Sequence, residues 1–143
     1  MNITGTYTFE APPAQVWDLL MDTGAIAGCL PGCKELRPLG DDRYHAELNV
    51  AVAAVSGDYA ATITMADKVP HSSYRLTVDG TGRMGFVKGE ARIALAAHEH
   101  KTTVSVDATA DVGGPAARVG QRLMEGVARM MMDRFFACLA ART

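Results

Sequence analysis

One long helical stretch at the C-terminal end, preceded almost entirely by strand-like segments, limits most what this chain can fold into. From Gly113 to Ala141 apolar residues recur at helical spacing. Before that, short runs alternate apolar and polar residues, and the one other clear helix lies near the start. A lone long helix has a single sheet to cover. A curved sheet closed by one helix encloses a hollow, so the pattern points to a binding cavity more than to a catalytic cleft.

Alternation places the strands. Ile3, Gly5, Tyr7 and Phe9 face away from Thr4, Thr6 and Thr8 in the first. Pro13 suits a first helical turn, where its missing N–H costs nothing, and Gln15 to Met21 is read as the helix. A short helical turn over Gly24 to Cys29 and a tight loop through Leu30, Pro31 and Gly32 follow. Further strands are predicted over 34–39, 44–52, 59–65, 74–78, 86–96 and 102–112. The glycine-rich 80–85 is read as a connection. Inward rows are Tyr44, Ala46, Leu48, Val50 and Val52; Tyr59, Ala61, Ile63 and Met65; Tyr74, Leu76 and Val78; and Val104, Val106, Ala108 and Ala110. Short turns between successive strands make the sheet antiparallel.

The chain has 143 residues, so 1–143 is expected to be a single domain. Hydrophobic residues make up 48% but aromatics only 6%. Small side chains fill less volume and leave room for a ligand, although a genome rich in Ala, Gly, Val and Arg codons would give the same composition. The net charge of −2 supplies no basic field for nucleic acid. The start lacks the basic and apolar regions of a secretory signal. No apolar run approaches the roughly 18–20 residues that span a bilayer. A cytoplasmic protein is expected. Cys29, Cys33 and Cys138 are odd in number, which fits a reducing compartment better than a disulfide framework.

On the long helix, Arg118, Arg122, Glu125, Arg129 and Asp133 form a polar stripe. Ala116, Val119, Leu123, Val127, Met130, Met131 and Cys138 spread over the opposite side, with Arg134 projecting from their midst. Arg134 is read either as a snorkelling side chain or as a polar anchor at the cavity mouth. Phe136 and Met132, beside the polar stripe, either pack on the N-terminal strand or form an apolar patch for a partner or membrane.

Signals for chemistry are sparse. Cys29 and Cys33 could supply half a zinc site, but no second cysteine pair completes it. No nucleophile elbow, phosphate loop or dinucleotide fingerprint is present. Glu47, Asp58, Arg75, Lys88, Glu90 and Arg92 fall on outward faces or turns. General acid–base work needs an ionisable group inside the pocket, so carrying a ligand fits better than moving a proton.

The order of elements is that of the helix-grip fold of START-like (SRPBCC) and polyketide cyclase-like proteins: α+β, with a curved antiparallel sheet of about seven strands wrapped around a long C-terminal helix. Particular residues extend the likeness. Cys29 to Leu36 with its Leu30-Pro31-Gly32-Cys33 core, Gly40 to Tyr44, Val55-Ser56-Gly57, Gly80-Thr81-Gly82, Asp111 to Gly114, Gly120 to Leu123, Gly126 to Arg129 and Phe135-Phe136 together resemble the CoxG family of carbon monoxide dehydrogenase subunits. The resemblance implies a non-catalytic accessory protein for a molybdenum-containing carbon monoxide dehydrogenase or a related molybdenum hydroxylase. It implies no covalent cofactor. It further implies bound menaquinone or another lipid, and a peripheral link to the membrane surface and quinone pool at the inner face of the membrane. Many members carry a C-terminal membrane-seeking extension, whereas this chain stops at Thr143, which would make it a truncated form or a short paralogue.

The expected cavity walls are Trp17, Leu30, Leu48, Val50, Ile63, Leu76, Phe86, Leu123, Val127 and Met131, with Arg134 at the mouth and Leu30, Pro31 and Gly32 as a gate. Two other functions remain open: a small cyclase- or dehydratase-like enzyme of the same fold, marked by an ionisable group deep in the pocket, and a ligand-free structural adaptor with a collapsed cavity. The small inward residues Ala46, Ala61, Ala91 and Ala108 argue against collapse.

Overall fold

The computed structural model describes residues 1–52 and 55–143. In chain order it has β1 (Asn2–Phe9), α1 (Pro13–Met21), α2 (Thr23–Cys29), β2 (Cys33–Gly40), β3 (Arg43–Val50), β4 (Gly57–Val69), β5 (Ser73–Gly82), β6 (Gly85–His98), β7 (Lys101–Gly113), a 3-10 segment (Gly114–Val119) and α3 (Gln121–Ala140). The strands form a single antiparallel sheet in the order β1-β7-β6-β5-β4-β3-β2. The first strand thus pairs with the last, and the two short helices bridge from β1 to β2 at the opposite edge. The chain is an α+β helix-grip fold, as its order of elements implied.

Local chemistry explains the punctuation. Pro12 and Pro13 start α1, and the Pro12 carbonyl accepts from the backbone N–H groups of Gln15 and Val16. Asp22 ends α1 and caps α2, its carboxylate accepting from Ala25 N–H at 3.1 Å. Asp41 and Asp42 both adopt positive φ, 54° and 58°. That is the twist a two-residue β-hairpin demands. Thr102 is fully buried, and its hydroxyl donates to the Ala11 carbonyl at 2.7 Å, so β7 holds the β1–α1 corner without an orphaned polar group.

Three expectations change. The C-terminal helix is not continuous from Gly113. The chain first makes a 3-10 segment and then breaks at Gly120, where φ is 104° and ψ 142°, before α3 starts. Three glycines and Pro115 within eight residues outweigh the apolar periodicity there. The glycine-rich stretch is not a loose connection either: Gly80 and Gly82 lie in β5 and Gly85 opens β6, leaving only Arg83 and Met84 in the turn. Lastly, Cys29 and Cys138 form a disulfide between α2 and α3, with Cα atoms 5.4 Å apart, and Cys33 stays free. An odd cysteine count does not exclude a bridge, and a separation of 109 positions hides this one from any local reading.

The main core gathers Phe9, Val16, Trp17, Leu20, Tyr74, Val104, Phe136 and Leu139 where α1, α2 and the second half of α3 meet the sheet. A smaller cluster of Val55, Ala116 and Val127 closes the other end. The two clusters do not merge, and a hollow separates them beneath α3.

Candidate functional site: an apolar cavity under the helix

Register places three rows of side chains across the inner face of the sheet. One runs Ala46, Ala61, Gly80, Val87, Val112. The next runs Tyr44, Ile63, Val78, Gly89, Ala110. The third runs Met65, Leu76, Ala91, Ala108, Ile3. The middle of this face is built from glycine and alanine on adjacent strands, so it is scooped rather than filled. The first half of α3 crosses above it with Met124, Val127, Ala128, Met131 and Met132 facing down. The result is a cavity of about 350 Å³ bounded almost entirely by apolar atoms.

Gly80 and Gly89 are small for different reasons. A Cβ at Gly80 would meet Val87 Cγ1 at 3.2 Å, tight but not forbidden. At Gly89 it would meet nothing nearer than the Thr109 carbonyl oxygen at 3.4 Å. Packing therefore does not require glycine at 89, and its effect there is to leave space open.

The cavity is poor in polar groups. Tyr59 brings a hydroxyl, and that hydroxyl donates to the Val55 carbonyl at 2.7 Å. Burial raises the Tyr59 phenol above its usual value, so it stays protonated. Glu90 borders the cavity through its strand, but its carboxylate is with Arg75 at 3.2 Å on the outer side. Among the described residues, no group of His, Cys, Asp or Glu side chains could hold a metal ion.

Sequence reasoning and structure agree for Leu48, Val50, Leu76, Val127 and Met131, all of which line the cavity. Phe86 lines it as well, beside Val87, although it shares its strand parity with Lys88 and Glu90, is 46% exposed and lays its ring over Gly113. Trp17 is in the main core instead, edge-on to Tyr74 with centroids 5.6 Å apart. Ile63 has the predicted face but lies between Tyr44 and Val78, off the cavity. Leu30 caps the end of α2, its N–H bonded to the Ile26 carbonyl, and does not touch the cavity. Arg134 is exposed and also remote from it.

The loop expected as a gate, Leu30 to Gly32, does not line the cavity and is bonded to β3. Gly32 accepts from Asn49 N–H at 2.8 Å and has φ 74°, and a Cβ there would overlap the Asn49 carbonyl. Pro31 and Leu30 are thereby tied to β3.

Leu123 is 46% exposed, on the outer side of α3. The helix is rolled by roughly a quarter turn from the expected face. Main-core contacts of Phe135, Phe136 and Leu139 set that roll, with Phe136 stacked on Tyr7 at 4.4 Å. Phe136 therefore takes the strand-packing role. Residues missed by sequence reasoning include Gly80, Gly89, Val87, Ala128 and Met124. Glycine within an alternating strand was the available signal for the first two.

The sequence profile of the CoxG family, described as a carbon monoxide dehydrogenase subunit, matches residues 5–143. No curated protein matches the chain. Among solved structures, a conserved protein from Geobacillus kaustophilus is 36% identical, with a TM-score of 0.96 over 99% of this chain and 94% of that one. A START superfamily protein from Mycobacterium smegmatis is 13% identical, with a TM-score of 0.79 over 99% and 95% of the two chains. Ara h 8.0201 is 11% identical, with a TM-score of 0.73 over 99% and 96%. The last two show likeness of fold alone.

Proposed function

The chain belongs to the CoxG family of carbon monoxide dehydrogenase subunits, and on that footing we propose that it is a non-catalytic accessory protein that carries an apolar ligand, such as menaquinone, for a molybdenum-containing carbon monoxide dehydrogenase or a related molybdenum hydroxylase. The observation that carries this reading is the apolar cavity of about 350 Å³ beneath α3. Its volume lies toward the lower end of the about 300–1,000 Å³ common for small-ligand sites.

The residues fit the hydrocarbon part of such a ligand. A quinone carbonyl needs a hydrogen-bond donor when buried, and the Tyr59 hydroxyl is already given to Val55. The fit thus favours the apolar edge of the ring held inside with its carbonyl oxygens turned to the mouth, where a partner enzyme can meet them, while a prenyl chain, which needs no donor, can follow any apolar path that continues from there. When bound, the quinone supplies the electron acceptor; the protein supplies solvent exclusion and orientation. Exchange with the membrane quinone pool at the inner face of the membrane is part of this reading, and the association is taken as peripheral, as the family resemblance implies.

A cyclase- or dehydratase-like activity finds less support. The two polar candidates the sequence offered for such chemistry, Arg134 and Tyr44, are not among the cavity residues.

Organic extraction of the protein purified from its native source, followed by mass spectrometry, tests the reading. A quinone or other lipid in near-stoichiometric amount is expected. An empty extract from a quinone-containing host, together with no binding of added naphthoquinones, would remove the carrier function.

A further inference from the structure

The outer side of α3 bears a shallow trough whose apolar surface comes from Val52, Val119, Leu123 and Met130, with Gly126 on its floor. Val127 borders both this trough and the inner cavity. The trough is unusual for a free helix face. Leu123 lies 46% exposed in it. Gly126 sits exposed in mid-helix, where glycine weakens the helix. Nothing lies within 4 Å of where a Gly126 Cβ would be, so no contact within the described residues calls for glycine there. Its absent side chain leaves the surface between Leu123, Val127 and Met130 open, with Arg122 also bordering the trough.

We propose that the trough and the cavity are the two halves of one passage, and that the trough holds the hydrocarbon chain of an elongated apolar ligand whose other end occupies the cavity. This deepens the carrier reading and rests on it. A ligand that combines a ring with a long chain overfills 350 Å³. Continuity through Val127 offers the excess an apolar path, and Leu123 and Met130 cover it from water. A methionine suits a chain of variable shape, because its side chain is unbranched and adaptable.

The experiment compares two probes, 2-methyl-1,4-naphthoquinone without a chain and its tetraprenyl homologue, by native mass spectrometry on the wild type, Gly126→Glu and Gly126→Ala. Far-UV circular dichroism melts establish that each variant is folded. Each buried methylene is worth about fourfold in affinity. The wild type should therefore bind the tetraprenyl probe at least about tenfold more tightly than the ring. Gly126→Glu should leave the ring's affinity unchanged and abolish the gain from the chain. Gly126→Ala should keep most of that gain. The passage is overturned if folded Gly126→Glu binds both probes as the wild type does, or loses both equally. If the wild type binds neither probe, the carrier reading itself fails and the passage falls with it, an outcome distinct from either of those.

Discussion

Tyr7 on β1 donates its hydroxyl to Asp133 on α3 at 2.6 Å, across 126 positions of sequence. The same Tyr7 ring stacks on Phe136, and one turn earlier Arg129 donates to the Thr4 carbonyl at 2.7 Å. These contacts seal the β1 edge of the sheet with the helix and so fix how α3 lies over the cavity. An exposed strand edge would otherwise be free to pair with another chain.

Tyr7→Phe should keep the stacking and lose only the hydrogen bond. The expected cost is about 0.5–1.5 kcal/mol, at the low end because the pair is solvent-accessible. Denaturant unfolding checks it. A loss above about 3 kcal/mol would mean the hydroxyl does more than bond Asp133.

Alkaline pH should destabilise the fold through the tyrosines. Burial, then the bond to Asp133 and its negative charge, raise the Tyr7 phenol, against a smaller lowering by Arg129; burial alone raises Tyr74. Both protons are held more tightly in the folded state than in the unfolded one, whose phenols titrate near about 10. Their contribution is therefore complete below about pH 10 and is lost as pH rises toward the folded values. Melting temperatures of the wild type and of Tyr74→Phe, followed from about pH 8 to 11, test this; equal slopes for both above about pH 10 would count against it.

Gly89→Val should fill the cavity without straining the sheet. The new Cβ meets only ordinary contacts, at 3.4 Å to the Thr109 carbonyl and 3.7 Å to Ala110 Cβ. A β-branched residue also suits a strand better than glycine, by up to about 1 kcal/mol. Stability should hold or rise while binding of the chainless naphthoquinone falls at least about tenfold, measured by native mass spectrometry. A folded Gly89→Val that binds normally would place the ligand elsewhere.

Gly32→Ala should destabilise by about 1–3 kcal/mol, because φ is 74° and the new methyl overlaps the Asn49 carbonyl. The loop is a clasp on β3, so the Asn49 amide, bonded to Gly32, should be among the protected amides in hydrogen exchange. Rapid exchange at Asn49 would restore the gate.

Thiol titration of the unfolded, unreduced protein should find one free thiol, Cys33. Cys138→Ser should cost about 2–4 kcal/mol, since the bridge closes a loop of 109 positions. Three titratable thiols without reductant would mean that the bridge does not form in the source compartment.

Local periodicity and chain order set what could be read before any folding. Alternation named the inward residues Leu48, Val50, Leu76, Ala91 and Ala108, and each faces inward because side chains on a strand have a period of two and one face is buried. Motifs spread along the chain carried the family. Contacts between distant elements settled the remainder. Helix roll put Leu123 outside and Met124 inside, because Phe135, Phe136 and Leu139 dock in the main core and the rigid helix turns with them. Trp17 packs with Tyr74 rather than with a ligand because α1 closes the filled end of the sheet and not the hollow one. The Cys29–Cys138 bridge, and the opening left at Gly89, depend on which residues meet across many positions of chain, and no local pattern records that.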